Sequence, residues 1–378
     1  MEITRKREKN RTRISLVEGT EGLSNLSVLH MRLRIGSVIV RAGGIAGVGT
    51  PQQHRMKGYG SRVMDDSTAF MAEQGWELGL LLGIRDFYPR FGYAPVMSPC
   101  TVVMRTREAE AARVRHRTRR MRPEDKRTVL RIHNACDLLR TGSRVRDARW
   151  WDPFRKGSQW NTKAEGRMLL DKGGRAAVGY LIIDADRENA VVAEVGALRR
   201  DCFETIIALA AADAVAKRAG EITFHAPFDH PLAETATRFG ARLTVSRNRC
   251  GGAMGRVICQ DALFAAVAPE LARRLGRSRA ADFRGILAVR TELGESVITL
   301  DRGKVRALGG GGGGRGGRGR AIALELPQSR LTQLVLGYRS VEDLLMDKGV
   351  SVRGSRAAEV IGAMLPLQAG YIWTGDYF

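Results

Sequence analysis

Apolar and polar residues alternate in the first fifty positions of the chain, and glycines separate the alternating stretches. The clearest stretches are residues 24–28, 31–35 and 38–42. Successive side chains of a strand point to opposite faces, so this period of two predicts a meander of half-buried strands. The pattern then predicts a polar turn, a helix, a strand and a short helical loop over residues 51–60, 59–73, 76–82 and 84–91. This βαβ arrangement places a glycine-bearing loop at a helix N-terminus.

A second set of elements follows a densely basic segment of residues 104–127. The predicted helix, two strands, helix and strand cover residues 124–138, 176–183, 190–197, 203–218 and 221–226. In both sets a helix leads to a strand and then to Arg-Phe-Gly, which is Arg90-Phe91-Gly92 in the first and Arg238-Phe239-Gly240 in the second. This echo predicts a duplicated fold unit, although so short a match also arises by chance.

The last third of the chain shows a different order of predicted elements. It is predicted as a helix, three strands and two helices over residues 261–275, 285–290, 296–301, 321–326, 329–336 and 340–345. Residues 309–320 are nearly all Gly and Arg, which predicts a long mobile loop between two strands. We therefore predict three domains, at residues 1–115, 116–260 and 261–378.

Composition excludes several classes of protein. The chain has 378 residues, of which 44% are hydrophobic, so neither a disordered chain nor a disulfide-stapled small domain is expected. Five scattered cysteines without a CxxC pair favour reduced thiols and no metal site. No apolar run approaches the roughly 20 residues of a bilayer span, and the charged start has no secretory pattern. We predict a cytoplasmic protein that does not bind membranes.

The charge is strongly basic. The 62 Lys and Arg residues outnumber the 40 Asp and Glu residues, which gives a net charge of +22. Such an excess raises the odds of an anionic partner such as nucleic acid or a phosphate-bearing cofactor. Because the arginines are spread over the whole chain, drift in composition explains the excess equally simply. Aromatic residues do not alternate with the arginines of residues 105–127, which disfavours nucleic acid.

One short motif suggests chemistry, namely Arg55-Met56-Lys57-Gly58-Tyr59-Gly60 at the predicted strand-to-helix junction. Glycines allow a backbone to approach phosphate oxygens, and the unpaired N–H groups of a first helical turn point at an anion. Arg55 and Lys57 add full charges. A tight turn without a ligand is the simpler alternative, because neither a dinucleotide fingerprint nor a P-loop is present.

Arg55-x-x-Gly58-x-Gly60 after a strand resembles the acetyl-CoA diphosphate loop of GNAT N-acetyltransferases. The segment from Gly83 to Tyr93, with Tyr88-Pro89-Arg90-Phe91-Gly92-Tyr93, resembles one branch, the enhanced-intracellular-survival (Eis-like) acetyltransferases. That family joins an active GNAT domain, a degenerate GNAT domain and a sterol-carrier-like domain. The resemblance covers nearly the whole chain and implies an α/β (α+β) fold with tandem GNAT domains before an α/β domain.

The resemblance also implies an activity. The chain would transfer an acetyl group from acetyl-CoA to a primary amine of a small molecule, peptide or lysine, without a metal. Tyr88 would be the general acid, and the carboxylate of the last residue, Phe378, would be the general base. The residues matched to acetyl-CoA are Val48, Gly49, Thr50, Arg55, Met56, Lys57, Gly58, Tyr59, Gly60, Ser61, Gly83 and Ile84. A homo-oligomer, a hexamer in the family, is implied as well.

These roles make chemical sense. Acetyl transfer needs a neutral amine, and burial among aromatic residues would raise the pKa of a terminal carboxylate towards the range of a base. A phenol can protonate the departing thiolate, and N–H groups beside Val48 could polarise the thioester carbonyl. The simpler alternatives are a core tyrosine at Tyr88 and a frayed end at Phe378.

The chain departs from the family in two respects. Strand-like sequence begins by about Arg13, so we expect the two helices that open the family's first domain to be absent here. Either the start codon is placed late or the substrate pocket is open on one side. The second unit, around residues 195–203, lacks Arg-x-x-Gly-x-Gly, so we predict that it binds no coenzyme A. Among the histidines, His116, His133 and His225 have no ligand-spaced partners, and His230 is expected to cap a helix. A coenzyme A-binding regulator without turnover and a basic nucleic-acid-associated protein remain alternative functions.

Overall fold

The computed structural model describes residues 1–149, 151, 157–159, 162–185, 188–308 and 320–378. These residues form three β-sheets, of seven, seven and five strands. Helices cover the sheets, so the predicted mixed α/β architecture is confirmed. Residues 309–319, which make up nearly all of the predicted glycine–arginine loop, lie outside the described residues. No helix within the described ranges is long and apolar enough to cross a bilayer.

The first sheet has the strand order β1-β2-β3-β4-β5-β14-β6. Its strands are β1 (Glu2–Arg7), β2 (Arg11–Glu18), β3 (Glu21–Ile35), β4 (Val38–Gly49), β5 (Leu78–Gly83), β6 (Ala94–Pro95) and β14 (Gly252–Val257). Strands β4 and β5 are parallel and are joined by helix α1 (Tyr59–Glu73), whose bounds agree with the prediction. β1 begins earlier than the sequence pattern indicated, because most of its residues are exposed and alternation does not mark it.

The second sheet has the order β13-β7-β12-β11-β10-β9-β8. Its strands are β7 (Cys100–Arg105), β8 (Arg117–Arg120), β9 (Ala164–Leu170), β10 (Ala177–Asp184), β11 (Ala190–Ala197), β12 (Glu221–His225) and β13 (Arg242–Val245). The helices of this region are α2 (Thr106–Ala109), α3 (Lys126–Cys136), α4 (Cys202–Lys217) and α5 (Pro231–Thr237). Strands β11 and β12 are parallel around α4, so β4-α1-β5 and β11-α4-β12 repeat the same unit.

The first two sheets exchange strands. β7 pairs with β12 and β13 in the second sheet, whereas β14 lies between β5 and β6 in the first. Each sheet is therefore completed by a strand from the other part of the chain. The domain boundaries remain predictions. Hydrogen bonds within the first two sheets join strands from both sides of the predicted boundary at residue 115.

The third sheet has the order β17-β16-β15-β18-β19. Its strands are β15 (Arg284–Thr291), β16 (Gly294–Asp301), β17 (Lys304–Leu308), β18 (Arg320–Glu325) and β19 (Ser351–Arg353). Helices α6 (Gln260–Gly276), α7 (Gln328–Val335), α8 (Val341–Leu344) and α9 (Ala357–Met364) accompany it. The sequence pattern missed β17, β19 and α9. The likeness of this region to a sterol-carrier domain remains a prediction.

The first sheet is buried on both faces, which fixes the geometry of its β4–β5 edge. α1 covers one face with Val63, Met64 and Met71. α6 covers the other and shares a core with Val40 and Leu80. Burying a large aliphatic side chain is worth about 1.5–3 kcal/mol, so the two layers hold the sheet firmly.

A buried carboxylate links these layers. Glu270 of α6 accepts hydrogen bonds from the N–H (3.1 Å) and hydroxyl (2.6 Å) of Ser37, in the turn between β3 and β4. Arg273 and Arg274 neutralise the same carboxylate. The turn that starts β4 is thereby fixed against the third region of the chain.

Candidate active site

The loop before α1 leaves the start of the helix open. Gly58 is the N-cap with φ +78°, a left-handed conformation that favours glycine, and no side chain caps the helix. The first turn carries no acidic residue. The first backbone hydrogen bond of the helix runs from the N–H of Ser61 to the carbonyl of Gly58 (3.1 Å). The N–H groups of Tyr59 and Gly60 come before it in the chain and have no acceptor within the helix, so they can bind an anion.

Strands β4 and β5 diverge towards this loop. Their parallel pairing covers only Ala42 to Ile45 of β4, opposite Leu78 to Leu81 of β5. Beyond it the register between β3 and β4 shifts, and Gly47 takes φ +59°. A bulge of this kind bends its strand. On the side that faces β5, the last four residues of β4 therefore have no strand partner, and this free backbone edge borders the opening.

A cavity of about 610 Å³ occupies this opening. Most of the residues predicted to hold acetyl-CoA line it: Val48, Gly49, Thr50, Arg55, Met56, Gly58, Tyr59, Gly60, Ser61 and Ile84. Tyr88 lines it as well. Lys57 and Gly83 are not part of the lining. The sequence argument missed His54, Phe87 and Arg90, which also line the cavity, although the last two lie inside the segment that carried the resemblance.

Tyr88 begins a short 3-10 helix, Tyr88–Phe91, after β5. Its ring packs on Gly83, where a Cβ would lie 2.9 Å from the Cδ2 atom of Tyr88. Gly83 thus serves the site by admitting the tyrosine ring. Burial raises the pKa of Tyr88, so the phenol keeps its proton at neutral pH and can donate it.

Phe378 lies at the base of the diverging strands. Its ring packs on Gly44 of β4, where a Cβ would lie 3.0 Å from the Cε2 atom of Phe378. Met31 packs at the same point, on the sheet face opposite α1. The C-terminal residue is therefore packed against the sheet. Tyr88 and Phe378 accordingly sit on the two strands that border the opening.

A buried ion-pair network holds the chain's C-terminal segment. The guanidinium of Arg146, which is 0% exposed, donates to both carboxylate oxygens of Asp376 at 2.8–3.0 Å. It also binds Glu194 of β11 at 2.6 and 2.7 Å. Trp373 donates its indole N–H to Asp137 (2.7 Å). Burial alone would lower the pKa of Arg146, but the two carboxylates hold it well above its ordinary value. The segment two residues before Phe378 is thus clamped.

In the second unit, other segments of the chain occupy the start of α4 and the edge of β11, which correspond to the start of α1 and the edge of β4. Glu204, in the first turn of α4, accepts from the backbone N–H of Arg113 (3.2 Å) and forms an ion pair with Arg115. Thr374 donates to the carbonyl of Ala193 (3.2 Å), just beyond the paired part of β11. A diphosphate would meet a carboxylate here. That the second unit binds no coenzyme A remains a prediction.

The histidines are explained by local structure. His230 caps α5, and its Nδ1 accepts from the N–H of Leu232 (3.2 Å), as predicted. His116, without partners in the sequence pattern, lies 3.2 Å from Asp201 and 3.7 Å from Cys202. Among the described residues these three could offer ligand atoms to one metal ion. Burial raises the pKa of Cys202 to about 12, so the thiol of the metal-free protein is protonated at neutral pH.

Three of the nine arginines in the basic segment of residues 104–127 form ion pairs. Arg115 binds Glu204, Arg119 binds Asp125 (2.7 Å) and Arg120 binds Glu165 (3.1 Å). Charges that are paired within the protein release few counterions from a nucleic acid. The other six arginines form no ion pair among the described residues, so the pairing alone does not decide against nucleic acid.

Comparison with known proteins fits this geometry. Residues 2–96 match the family model of an acetyltransferase (GNAT) domain. The chain therefore contains a GNAT acetyltransferase domain. The open loop, the diverging strands and Tyr88 all lie within the matched residues. No curated protein matches the chain.

Solved structures show that the likeness extends over the whole chain. A conserved protein of unknown function from Enterococcus faecalis V583, described as a probable N-acyltransferase, has a TM-score of 0.76 at 17% identity, covering 98% of this chain and 89% of that one. A GCN5-related N-acetyltransferase from Kribbella flavida has a TM-score of 0.72 at 16% identity, covering 97% and 87%. Eis1 from Mycobacterium abscessus has a TM-score of 0.66 at 17% identity, covering 98% and 91%. At such identities the likeness establishes the fold.

Proposed function

We propose that the chain is an acetyl-CoA-dependent N-acetyltransferase of the Eis-like branch that acetylates a primary amine. The observation that carries this proposal is the cavity of about 610 Å³, in which the uncapped start of α1, the free edge of β4 and Tyr88 converge. It lies within the GNAT domain. A coenzyme A-binding regulator would need the same cavity, so turnover separates the two functions.

Each part of the cavity suits one part of acetyl-CoA. The N–H groups at the start of α1, with the helix dipole and Arg55, suit the diphosphate. Arg55 is held towards the end of β4 by a hydrogen bond from its Nε to the carbonyl of Thr50 (3.3 Å). The free edge of β4 near Val48 offers N–H donors to the thioester carbonyl. Acetyl-CoA supplies an activated acetyl group as a thioester.

Tyr88 and Phe378 then divide the proton transfers. The carboxylate of Phe378 accepts a proton from the ammonium form of the acceptor, which frees the lone pair of its nitrogen. As the new C–N bond forms and the C–S bond breaks, the phenol of Tyr88 donates its proton to the departing sulfur. The nitrogen releases its second proton as the amide forms, and that proton restores the phenol. Overall one amine proton goes to the thiol and one to solvent.

Arg146 serves this mechanism as a positioning residue. A terminal residue ordinarily frays, and a base must be held within hydrogen-bond reach of the proton that it accepts. The clamp on Asp376 restrains the chain two residues before the carboxylate. The second unit, with Glu194 on β11, would thus act as a support for the base. Assembly as a homo-oligomer remains a prediction from the family resemblance, and location in the cytoplasm remains a prediction from the composition.

The test is release of thiol from acetyl-CoA in the presence of a panel of primary amines. We expect release that depends on both substrates and stops when the acetyl-CoA is exhausted. Calorimetric binding of acetyl-CoA without release for any amine would favour the binding regulator. Absence of both binding and release would overturn the proposal.

A further inference from the structure

A second cavity lies beside the C-terminal segment, and we call it the basic cavity. It has a volume of about 310 Å³. Its charged lining consists of Lys9, Arg32, Arg41, Arg144, Arg146, Asp147 and Arg149, and its aromatic lining of His30, Trp76 and Trp151. Met31 also lines it, so the basic cavity reaches the residue that packs with Phe378 on Gly44.

The carboxylates at the basic cavity are paired with arginines. Asp147 binds Arg149 at 2.7 Å, and Glu77 binds Arg41 at 2.8 Å. Behind the cavity wall, Arg146 binds both Asp376 and Glu194, at 2.8 and 2.6 Å. The first two pairs are neutral, and the third group leaves one buried negative charge.

Three further cationic side chains that line the basic cavity form no ion pair. In the part of the chain that the structure describes, no hydrogen bond or ion pair engages the side chains of Lys9, Arg32 or Arg144. Arg144 is partly buried, and burial lowers its pKa although Asp376 opposes the effect. A partly buried guanidinium without a partner loses hydration without recovering it through hydrogen bonds. An anion in the basic cavity would supply those bonds.

The basic cavity also has aromatic walls. The ring of Trp76 lies 5.1 Å from that of His30 in an edge arrangement. Burial lowers the pKa of His30, and Arg7 adds to the effect, so this imidazole is neutral at neutral pH. Aromatic walls with a few convergent polar groups are typical of small-molecule sites.

We propose that the basic cavity binds the acceptor and that the acceptor carries an anionic group, a carboxylate or a phosphate, in addition to its amine. The inference rests on the proposed acetyl transfer, because it assigns the acceptor of that reaction. Arg144, Arg32 and Lys9 would hold the anion, and the amine would point along Met31 towards Phe378.

The experiment compares amines that differ only by the anion. L-phenylalanine is paired with phenethylamine for the carboxylate, and O-phosphoethanolamine with ethanolamine for the phosphate. We expect kcat/KM with acetyl-CoA to be about tenfold or more higher for the anionic member of at least one pair, because a charge-assisted hydrogen bond is worth about 1.5–3 kcal/mol. The pair that shows the preference identifies the anion.

Substitutions assign the preference to the basic cavity. Arg144→Gln should reduce it to about threefold or less. Arg32→Gln, an exposed change that does not threaten folding, should reduce it partially. Arg353→Gln, an exposed change on β19, is the matched control and should leave it intact. A preference that survives Arg144→Gln and Arg32→Gln would overturn the assignment.

Two further outcomes separate this inference from the proposed function. Turnover in which neutral amines equal or exceed their anionic partners would overturn the anionic acceptor and leave acetyl transfer standing. If no amine is acetylated, calorimetry with O-phosphoethanolamine and L-phenylalanine on the protein alone decides the site. Binding that Arg144→Gln abolishes would then support the basic cavity, and no binding would overturn it.

Discussion

The two units β4-α1-β5 and β11-α4-β12 have the same arrangement of two parallel strands joined by a helix. They differ in what occupies the opening beyond the paired part of the strands. In both, a short parallel pairing ends where the first strand shifts register against its other neighbour. In the first unit a cavity follows, and the helix start carries no acidic residue. In the second, Glu204 occupies the helix start and Thr374 of the C-terminal segment binds β11. The fold provides the opening, and the local sequence decides whether a ligand can enter it.

The comparison also assigns each unit a task. The first unit has the features of a cofactor site, whereas the second holds Asp376 through Arg146 and Glu194. The segment that fills the second opening ends on Gly44 of the first unit. The degenerate unit thereby supports the unit that would perform chemistry. The predictions below test this division of labour, beginning with the largest expected effect.

Extension of the chain by a few residues beyond Phe378 should have the largest effect. It replaces the terminal carboxylate by a peptide, and loss of a general base costs about 10²–10⁴-fold in rate. We expect kcat to fall by at least about 10²-fold with little change in acetyl-CoA binding, measured by thiol release and calorimetry. The same extension placed before Met1 is the control. Full activity with the C-terminal extension would refute the role of Phe378.

Tyr88→Phe removes the proposed proton donor and keeps the ring on Gly83. We expect kcat to fall by about 10²-fold, since general acid catalysis contributes effects of this size. Because burial raises the pKa of Tyr88, the donor form persists to alkaline pH, and no loss of rate from this group should occur below about pH 10. A pH–rate profile checks both statements. Unchanged kcat in the variant would make Tyr88 a packing residue only.

Arg146→Met should impair both folding and activity. It leaves Glu194 and Asp376 buried without their partner, which costs about 3–5 kcal/mol in unfolding free energy. Urea denaturation measures that loss. At a temperature where the variant is folded, kcat should fall about tenfold while calorimetry shows unchanged acetyl-CoA affinity. The double change Arg146→Met with Asp376→Asn should recover stability in part. Wild-type kcat in a destabilised Arg146→Met protein would contradict the positioning role.

Gly58→Ala tests the open helix start of the first unit. Its φ of +78° strains any side chain, and the phosphate-facing backbone should shift. We expect KM for acetyl-CoA to rise about tenfold while kcat changes little. Asp201→Ala, at the N-cap of α4, is the matched change in the second unit and should leave KM unaltered. A larger effect on KM from Asp201→Ala than from Gly58→Ala would reverse the comparison.

Glu270→Gln gives the smallest effect and tests the layer that supports β4. Burial alone would raise the pKa of Glu270, but Arg273 and Ser37 lower it to about 2. Its contribution is therefore present above an ordinary glutamate pKa of about 4.3 and disappears as pH falls towards 2. Urea unfolding at several pH values should show this acid loss in the wild type and a shallower one in the variant. If the unfolding free energy of the wild type and the variant falls equally with decreasing pH, the carboxylate of Glu270 does not stabilise the fold in this way.

The sequence predicted the parts of the fold that local patterns encode. The bounds of α1, the glycine loop and the cap at His230 follow from short-range patterns, whereas Tyr88 came from the family resemblance. The exchange of β7 and β14 did not, because both strands are short and pair with residues far away in the chain. The exposed β1 shows no alternation that marks it, and α9 is only eight residues long, so its pattern covers little more than two turns.

The candidate site was predictable to a similar degree. The loop and Tyr88 lie in continuous motifs, so the loop could be found from its glycines and Tyr88 from the family resemblance of its segment. The clamp on the C-terminal segment was missed because Arg146 and Asp376 are 230 residues apart. The unpaired cations of the basic cavity were missed for another reason. Net charge does not distinguish an arginine in an ion pair, such as Arg119, from one without a partner, such as Arg144.

The central claim is that one of the two units, the first, binds coenzyme A. Calorimetric titration of the intact chain with coenzyme A tests it most directly. We predict one bound molecule per chain, with the affinity reduced by Gly58→Ala and unaffected by Asp201→Ala. Absence of binding heat, or two equivalent molecules per chain, would contradict the account.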